Sequence, residues 1–174
     1  CSSDLCQRSE LMSRDSFQLL NKMIPWSPAR NRVLDMVLNI AIPFNRWLGM
    51  RVQKLSADEV NVTMPFRTLS KNHVGGVHAC ALALLGEYPA GLLITQNFSA
   101  QKYRLILKNL KADYLKQGRT KLTSKVMRPD HWPEEENGVM DIPMQTRIYN
   151  NKNEEIAVIE TLWQLKRWDL VRKN

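Results

Sequence analysis

Cysteine is scarce in this sequence, which has only three among its 174 residues. They are Cys1, Cys6 and Cys80, an odd number, and the last lies inside an apolar segment. This argues against a disulfide-stapled fold and favours a reducing compartment, so we expect a cytoplasmic protein. A Cys1 followed by two serines also fits the start of a processed lipoprotein, and the sequence leaves that alternative open.

Long apolar runs and clusters of metal ligands are also missing. The longest apolar candidate, residues 33–44, is interrupted by Asp35, Asn39 and Pro43, well short of the roughly 18–20 apolar residues of a membrane span. We therefore expect no transmembrane segment. The histidines at positions 73, 78 and 131 have no spacing typical of a metal site, so no metal is expected.

Acidic residues are nearly absent from residues 101–128, where Asp113 is the only one. The formal charge of the whole chain is +8. Such a segment suits the phosphates of a nucleotide cofactor, nucleic acid or an anionic membrane, although lysines guarding an exposed strand edge are an equal alternative. Nucleic acid is disfavoured, because Tyr103 and Tyr114 are too few aromatics for a base-stacking platform. The basic residues of the segment are Lys102, Arg104, Lys108, Lys111, Lys116, Arg119, Lys121, Lys125 and Arg128.

The most informative stretch is residues 72–87, which runs from turn-forming residues into an apolar segment that ends on Glu87. Residues 79–85 carry no charge, which predicts a helix buried on every side. Gly75 and Gly76 let the backbone turn sharply and approach a ligand where the helix begins. A carboxylate in such a setting is costly unless it is paired or used.

The rest of the chain predicts an α+β fold. We expect helices over residues 15–24 and 28–42, with Ser27 as the N-cap of the second. Period-two patterns predict strands over 51–55, 60–65, 91–98, 105–114, 120–127, 139–149 and 156–168. One central helix with six or seven mostly antiparallel strands indicates a sheet wrapped around a helix. We divide the chain into an N-terminal helical extension, residues 1–45, and a main domain, residues 46–174.

These features resemble the hotdog-fold thioesterases of the phenylacetate-pathway (PaaI-like) type. That family has Asn-x-x-Gly-x-x-His at the mouth of its central helix and an acid nine positions after the His. Asn72, Gly75, His78 and Glu87 stand at those spacings. The resemblance covers about residues 46–170, and it implies a hotdog fold, thioester hydrolysis and a substrate carried on coenzyme A or an acyl carrier. Ala79-Cys80 replaces the Gly-Gly that usually follows the His, and Glu replaces the more common Asp, as in a poorly characterised branch with a helical N-terminal extension.

The chemistry can also be argued from the residues. The amides of Gly76 and Val77 at the positive end of the helix are candidate oxyanion donors, and Glu87 is a candidate base or nucleophile. Nine residues of helix span about 13 Å, so one subunit cannot bring both ends to one thioester. We therefore predict a homodimer, with a tetramer left open, in which Glu87 of one chain faces the partner's loop.

Each candidate also has a purely structural interpretation. Glu87 could lie at a solvated helix end, His78 could cap the helix, and Asn72 could stabilise its own turn. Gly75 and Val77 are further candidates for substrate contact. In the basic segment we choose Lys116, Arg119 and Lys121 for the coenzyme A phosphates. The alternative function is a non-catalytic acyl- or lipid-binding hotdog protein.

Overall fold

The computed structural model describes residues 28–171. The predicted helix over residues 15–24 and the Ser27 cap lie outside this range. Four α-helices are present in the described part of the chain: α1 (Pro28–Ala41), α2 (Pro43–Arg46), α3 (Ala79–Asn97) and α4 (Trp168–Val171). The strands are β1 (Arg51–Leu55), β2 (Glu59–Met64), β3 (Tyr103–Tyr114), β4 (Leu122–Met127), β5 (Val139–Tyr149) and β6 (Glu155–Arg167).

The six strands form one antiparallel sheet in the order β1-β2-β4-β5-β6-β3. Strand β5 alternates buried and exposed residues along its whole length, which is the pattern of a strand with one face on the core. Strand β3 pairs with β6 on one side only, so twelve residues of backbone form an open edge of the sheet. The expected α+β architecture, a sheet wrapped around one helix, is confirmed.

Helix α3 is the centre of the fold and is longer than predicted. It runs from Ala79 to Asn97 with Pro89 in its interior, so the strand expected over residues 91–98 is wrong. A short Leu-Leu-Ile run suits a buried strand and a buried helix equally well. Proline removes one helical hydrogen bond, but burial of Leu92, Leu93 and Ile94 against the sheet stabilises the following turns.

A glycine sets how closely α3 approaches the sheet. A Cβ atom at Gly86 would lie 2.2 Å from Cγ1 of Ile159 on β6, and one at Gly91 would lie 3.1 Å from the ring of Trp163. A side chain at Gly91 would crowd Trp163, and no larger side chain fits at Gly86 unless α3 or β6 moves. The residue next to it, Glu87, is therefore held at a fixed height above the sheet.

Helix α3 is also the one described helix that is long and apolar enough to cross a membrane by length and composition. About 56% of its apolar window is buried inside the protein. It is the core helix of the sheet, and Pro89 in its interior is what hid its full length in the sequence.

The helices before the sheet are tied to β1. Leu34 and Leu38 of α1 are buried in the main core. The carboxylate of Asp35 accepts a 2.9 Å hydrogen bond from the backbone amide of Val52. Burial raises the pKa of Asp35, while that hydrogen bond and the charge of Arg51 lower it. These contacts place α1 on the same core as the sheet.

Candidate functional site

The loop over residues 72–78 is built around the side chain of Asn72. Its Oδ1 atom accepts hydrogen bonds from the backbone amides of Val74 (3.1 Å) and Gly76 (3.0 Å). The backbone closes the same loop, since the Asn72 amide donates to the Gly76 carbonyl at 2.8 Å. Asn72 therefore holds the turn together. Its side-chain NH2 has no acceptor among the described residues and is available to a ligand.

The two glycines of this loop have different roles. Gly75 has a φ of 76°, which side chains other than glycine rarely tolerate. A Cβ atom at Gly76 would meet only ordinary contacts, the nearest being the Gly118 carbonyl oxygen at 3.7 Å. The sharp turn thus needs glycine at position 75, and position 76 does not require it for conformational reasons.

His78 caps the N-terminus of α3. Its Nδ1 atom accepts a 3.1 Å hydrogen bond from the backbone amide of Cys80. A nitrogen that accepts carries no proton, so in the neutral ring the proton is on Nε2. The structure thus confirms the capping role and also leaves an exposed Nε2–H donor at the mouth of the helix.

The amides expected to bind an oxyanion are occupied within the chain. The Gly76 amide donates to Asn72, and the Val77 amide donates to the Gly118 carbonyl at 2.8 Å. The prediction for these two donors does not fit this geometry, because the acceptors come from the loop itself and from a segment some forty residues further on. The first helical amide with no partner in the described chain is that of Ala79, beside His78.

The carboxylate of Glu87 is the isolated charge of the molecule's centre. It lies on α3, partly buried, and makes no hydrogen bond or ion pair with any described residue. Burial raises the pKa of the Glu87 carboxyl. The solvated helix end considered from the sequence is wrong, because the helix continues for ten residues beyond it, to Asn97.

Glu87 belongs to the one stripe of α3 that the sheet leaves partly uncovered. The helix was expected to be buried on every side, but residues at helical spacing along one face remain half exposed. The stripe consists of Ala83, Leu84, Glu87, Gly91 and Thr95. Its other members are apolar or small, so it is suited to packing against a further surface.

The basic loop between β3 and β4 lies directly beside the 72–78 loop. Besides the bond from Val77 to Gly118, the guanidinium of Arg119 donates to the Val74 carbonyl at 3.4 Å. Lys116 forms an ion pair with Glu154 at 3.4 Å, and Lys121 is exposed. Of the three residues chosen for phosphate binding, Arg119 is therefore the one that contacts the loop at the mouth of α3.

The positive charge of residues 101–128 is weaker than the sequence count indicates. Five of its nine cations are paired with carboxylates, most of them from other strands and loops. Tertiary structure brings acids such as Asp58, Asp141 and Glu160 beside them. The paired cations are Lys102, Lys108, Lys111, Lys116 and Arg128.

Two residues at the site had no signal in the sequence. The hydroxyl of Tyr114, at the end of β3, donates to the Ala79 carbonyl at 3.1 Å and ties that strand to the first turn of α3. The Gly118 carbonyl anchors Val77. Both contacts join segments that are distant in sequence, so no local sequence pattern predicts them.

Two cavities of the molecule lie away from these residues. One of about 200 Å³ separates the end of α3 from the start of β3, where Ile94, Tyr103 and Leu105 line it. The other, of about 400 Å³, lies across β3, β5 and β6 near Met144 and Leu162. Neither is lined by Glu87 or by the 72–78 loop.

The family model for a domain of unknown function, DUF4442, matches residues 30–165. The chain belongs to the DUF4442 family. The match includes all but the first two residues of α1 and every residue of the candidate site. No curated protein matches this DUF4442 chain significantly.

Solved structures resemble this DUF4442 protein at low sequence identity. A protein of unknown function from Pseudomonas aeruginosa, described as a probable thioesterase, is 21% identical with a TM-score of 0.69 and covers 83% of this chain and 98% of its own. A thioesterase from Haemophilus influenzae is 16% identical with a TM-score of 0.65, covering 83% and 93%. A variant of a thioesterase from Staphylococcus aureus is 17% identical with a TM-score of 0.63, covering 71% and 98%. These similarities show the fold, and the hotdog prediction is confirmed.

Proposed function

We propose that this protein is a homodimeric thioesterase that hydrolyses an acyl-CoA or acyl-carrier thioester, with Glu87 as the base. The observation that carries the proposal is a partly buried carboxylate with no partner among the described residues, on the half-covered stripe of the core helix. An unused buried charge is destabilising, and burial of this kind is typical of catalytic carboxylates. Structures of similar fold named as thioesterases support the same class of reaction.

In the proposed reaction, Glu87 removes a proton from a water molecule that adds to the thioester carbonyl carbon. The negative charge that develops on the carbonyl oxygen is stabilised at the N-terminus of α3, where the His78 Nε2–H, the Ala79 amide and the Asn72 side-chain NH2 are free donors. Collapse of the intermediate breaks the carbon–sulfur bond, and the thiolate takes up a proton. The products are a carboxylic acid and the free thiol.

Two chains are needed for this arrangement. Glu87 lies nine residues along α3 from His78, which is about 13 Å at 1.5 Å per residue. A two-fold axis beside the half-covered stripe would pair antiparallel α3 helices and place Glu87 of one chain near the partner's loop. The open edge of β3 offers a second surface for the same dimer, because long unpaired edges are normally covered in native proteins.

A mixed-dimer experiment tests both the reaction and the shared site. Glu87→Gln and Asn72→Ala should each be nearly inactive on a panel of acyl-CoA esters. Chains of the two variants, allowed to associate at random, would form mixed dimers in half of the population. Each mixed dimer would have one intact site, so about one quarter of the wild-type activity should return. If the wild type is active and mixtures of the two inactive variants recover no activity, the site lies within one chain.

A binding role without catalysis is the second candidate. It is favoured by the bonded amides of Gly76 and Val77, which leave the helix mouth with fewer backbone donors than an oxyanion hole usually has. In that case the wild-type protein would bind a non-hydrolysable acyl-CoA analogue, with Arg119 near the phosphates, and would turn over none of the esters. Coenzyme A enters either function as part of the ligand. A cytoplasmic location is the setting we propose for both.

A further inference from the structure

Helix α1 has apolar side chains on two opposite faces, and only one of them is packed. Leu34 and Leu38 are buried against the sheet. Val33, Met36 and Ile40 share the other face, since they are three and four positions apart, and all three are exposed. Asp35 lies on the packed side, where the Val52 amide holds its carboxylate. The outer face of α1 is therefore an apolar stripe with no partner in the described chain.

The exposed apolar surface continues beyond α1. Ile42, Phe44 and Trp47 follow the stripe, and Ile40, Phe44 and Trp47 are exposed by 75%, 72% and 71%. Half of the exposed large apolar side chains of the described chain thus fall within fifteen residues. Scattered exposed apolar residues need no explanation, but a concentration of this kind marks a surface that contacts something. We define the outer docking surface as Val33, Met36, Ile40, Ile42, Phe44 and Trp47.

The charges around this surface are of one sign. Arg32 precedes Val33 on α1, Arg46 lies between Phe44 and Trp47, and both arginines are exposed. Asp35 is the only acid between residues 28 and 57, and it points inward. An apolar stripe with Phe and Trp, flanked by arginines, is the pattern of a helix that lies in the plane of a membrane surface. Anionic lipids attract such a segment, and the chain as a whole carries +8.

We propose that the outer docking surface binds the surface of an anionic lipid membrane, with the protein lying on the membrane and not crossing it. The arginines face the headgroups, while the apolar side chains enter the boundary between headgroups and acyl chains. This inference is independent of the proposed hydrolysis, since membrane binding needs no turnover. It gives the protein access to substrates whose acyl chains partition into lipid.

Sedimentation with vesicles tests the proposal on the full chain. Vesicles of phosphatidylcholine with phosphatidylserine should bind the wild type, and vesicles of phosphatidylcholine alone should bind it much more weakly. Met36 and Met127 give a matched pair, because their exposures are 59% and 60% and Met127 lies at the end of β4, away from the surface. Met36→Glu should lower binding about tenfold or more, and Met127→Glu should change it less than about twofold.

The role of the arginines is tested in the same assay. The double variant Arg32→Gln with Arg46→Gln should lose most of the preference for phosphatidylserine, and added salt should reduce the wild type to the same level. Circular dichroism should show every variant folded, since all the changed side chains are exposed.

Three results would overturn the proposal. The first is wild-type protein that binds neither kind of vesicle, and the second is an equal loss of binding in Met36→Glu and Met127→Glu. The third is a surface occupied by protein: Met36→Glu would then lower the molar mass seen by light scattering, which identifies a second copy. Protection of the surface from labelling without vesicles, at an unchanged mass, would identify residues 1–27 of the same chain as its cover.

Discussion

The loop over residues 72–78 and the carboxylate of Glu87 differ in how many hydrogen-bond partners they find within the described chain. In the loop, Asn72, Gly118 and His78 satisfy four backbone amides, so its shape is fixed before any ligand arrives. Glu87 lies on α3, the helix that follows this loop, and its carboxylate has no hydrogen-bond or ion-pair partner in the described chain. The contrast fits the proposed dimer, in which the loop is shaped by its own chain and Glu87 meets the partner's loop.

Loss of the isolated carboxylate should have the largest effect. Glu87→Gln keeps the side-chain volume but cannot accept a proton, so we expect kcat to fall by about 100- to 10,000-fold. Thioester hydrolysis measured by release of free thiol checks this, with Glu160→Gln on an exposed strand position as the control. A Gln variant that hydrolyses thioesters at the wild-type rate would remove Glu87 from the mechanism.

The pH dependence of wild-type kcat/KM also tests the role of Glu87. Glu87 must be ionised to act as a base, and burial raises the pKa of its carboxyl above the usual 4.5. We expect kcat/KM to rise with pH through that raised pKa, so that the acid limb lies above the range of an exposed glutamate. An acid limb at the ordinary carboxyl value would contradict the burial of the working carboxylate.

Two glycines, one at each end of the site, should respond differently to alanine. Gly86→Ala places a methyl group 2.2 Å from Ile159, so either α3 or β6 must move. We expect a loss of about 3 kcal/mol in the free energy of unfolding, at the upper end of overpacking effects. Gly76→Ala should change it by less than about 1 kcal/mol, because its Cβ would meet ordinary contacts. Urea unfolding measures both, and equal losses would show that the loop is as tightly packed as the core.

The basic loop should give a smaller, salt-dependent effect. Arg119 contacts the 72–78 loop, whereas Lys116 is paired with Glu154. Arg119→Gln should therefore raise KM for an acyl-CoA by roughly two- to fivefold at low salt, and Lys116→Gln should raise it less. A short thioester without the nucleotide should be unaffected. If both thioesters lose equally, the substitution has damaged the loop and phosphate binding is not its cause.

The smallest expected effect is on stability, and it has the opposite sign to the loss of activity. Because the folded pKa of Glu87 is raised, the folded state favours the protonated carboxyl, and the wild type loses stability as pH rises through that range. Glu87→Gln should thus melt a few degrees higher at pH 7, where about 1 kcal/mol corresponds to roughly 2–4 °C. The difference should vanish below about pH 4. A variant that melts lower at pH 7 would indicate a hidden partner for the carboxylate.

Local patterns predicted most of the sheet. Alternation placed β5 over residues 139–149 as observed, and the hairpin of β1 and β2 was also predicted, because those strands have one face on the core and one in solvent. The second half of α3 was missed, since Pro89 is a helix breaker in local terms and only burial against the sheet overrides it. Asn72, Gly75, His78 and Glu87 were chosen because they match the spacing of the resembled family, and their part in catalysis stays a prediction. The sequence did not predict that the amides of Gly76 and Val77 are already hydrogen-bonded. One acceptor is the Asn72 side chain, whose direction the sequence does not reveal, and the other is the Gly118 carbonyl on a distant loop.

The half-covered stripe of α3 implies that, in the proposed dimer, each chain folds first and the two chains associate afterwards. The core cluster of the described residues comes from a single chain, so we expect the chain to fold without its proposed partner. Activity that needs the partner's loop then follows mass action, and the rate per chain should fall on dilution once dimers dissociate. A chain diluted below that point would be folded and stable but inactive, and its thioesterase activity would return when the protein is concentrated, without refolding.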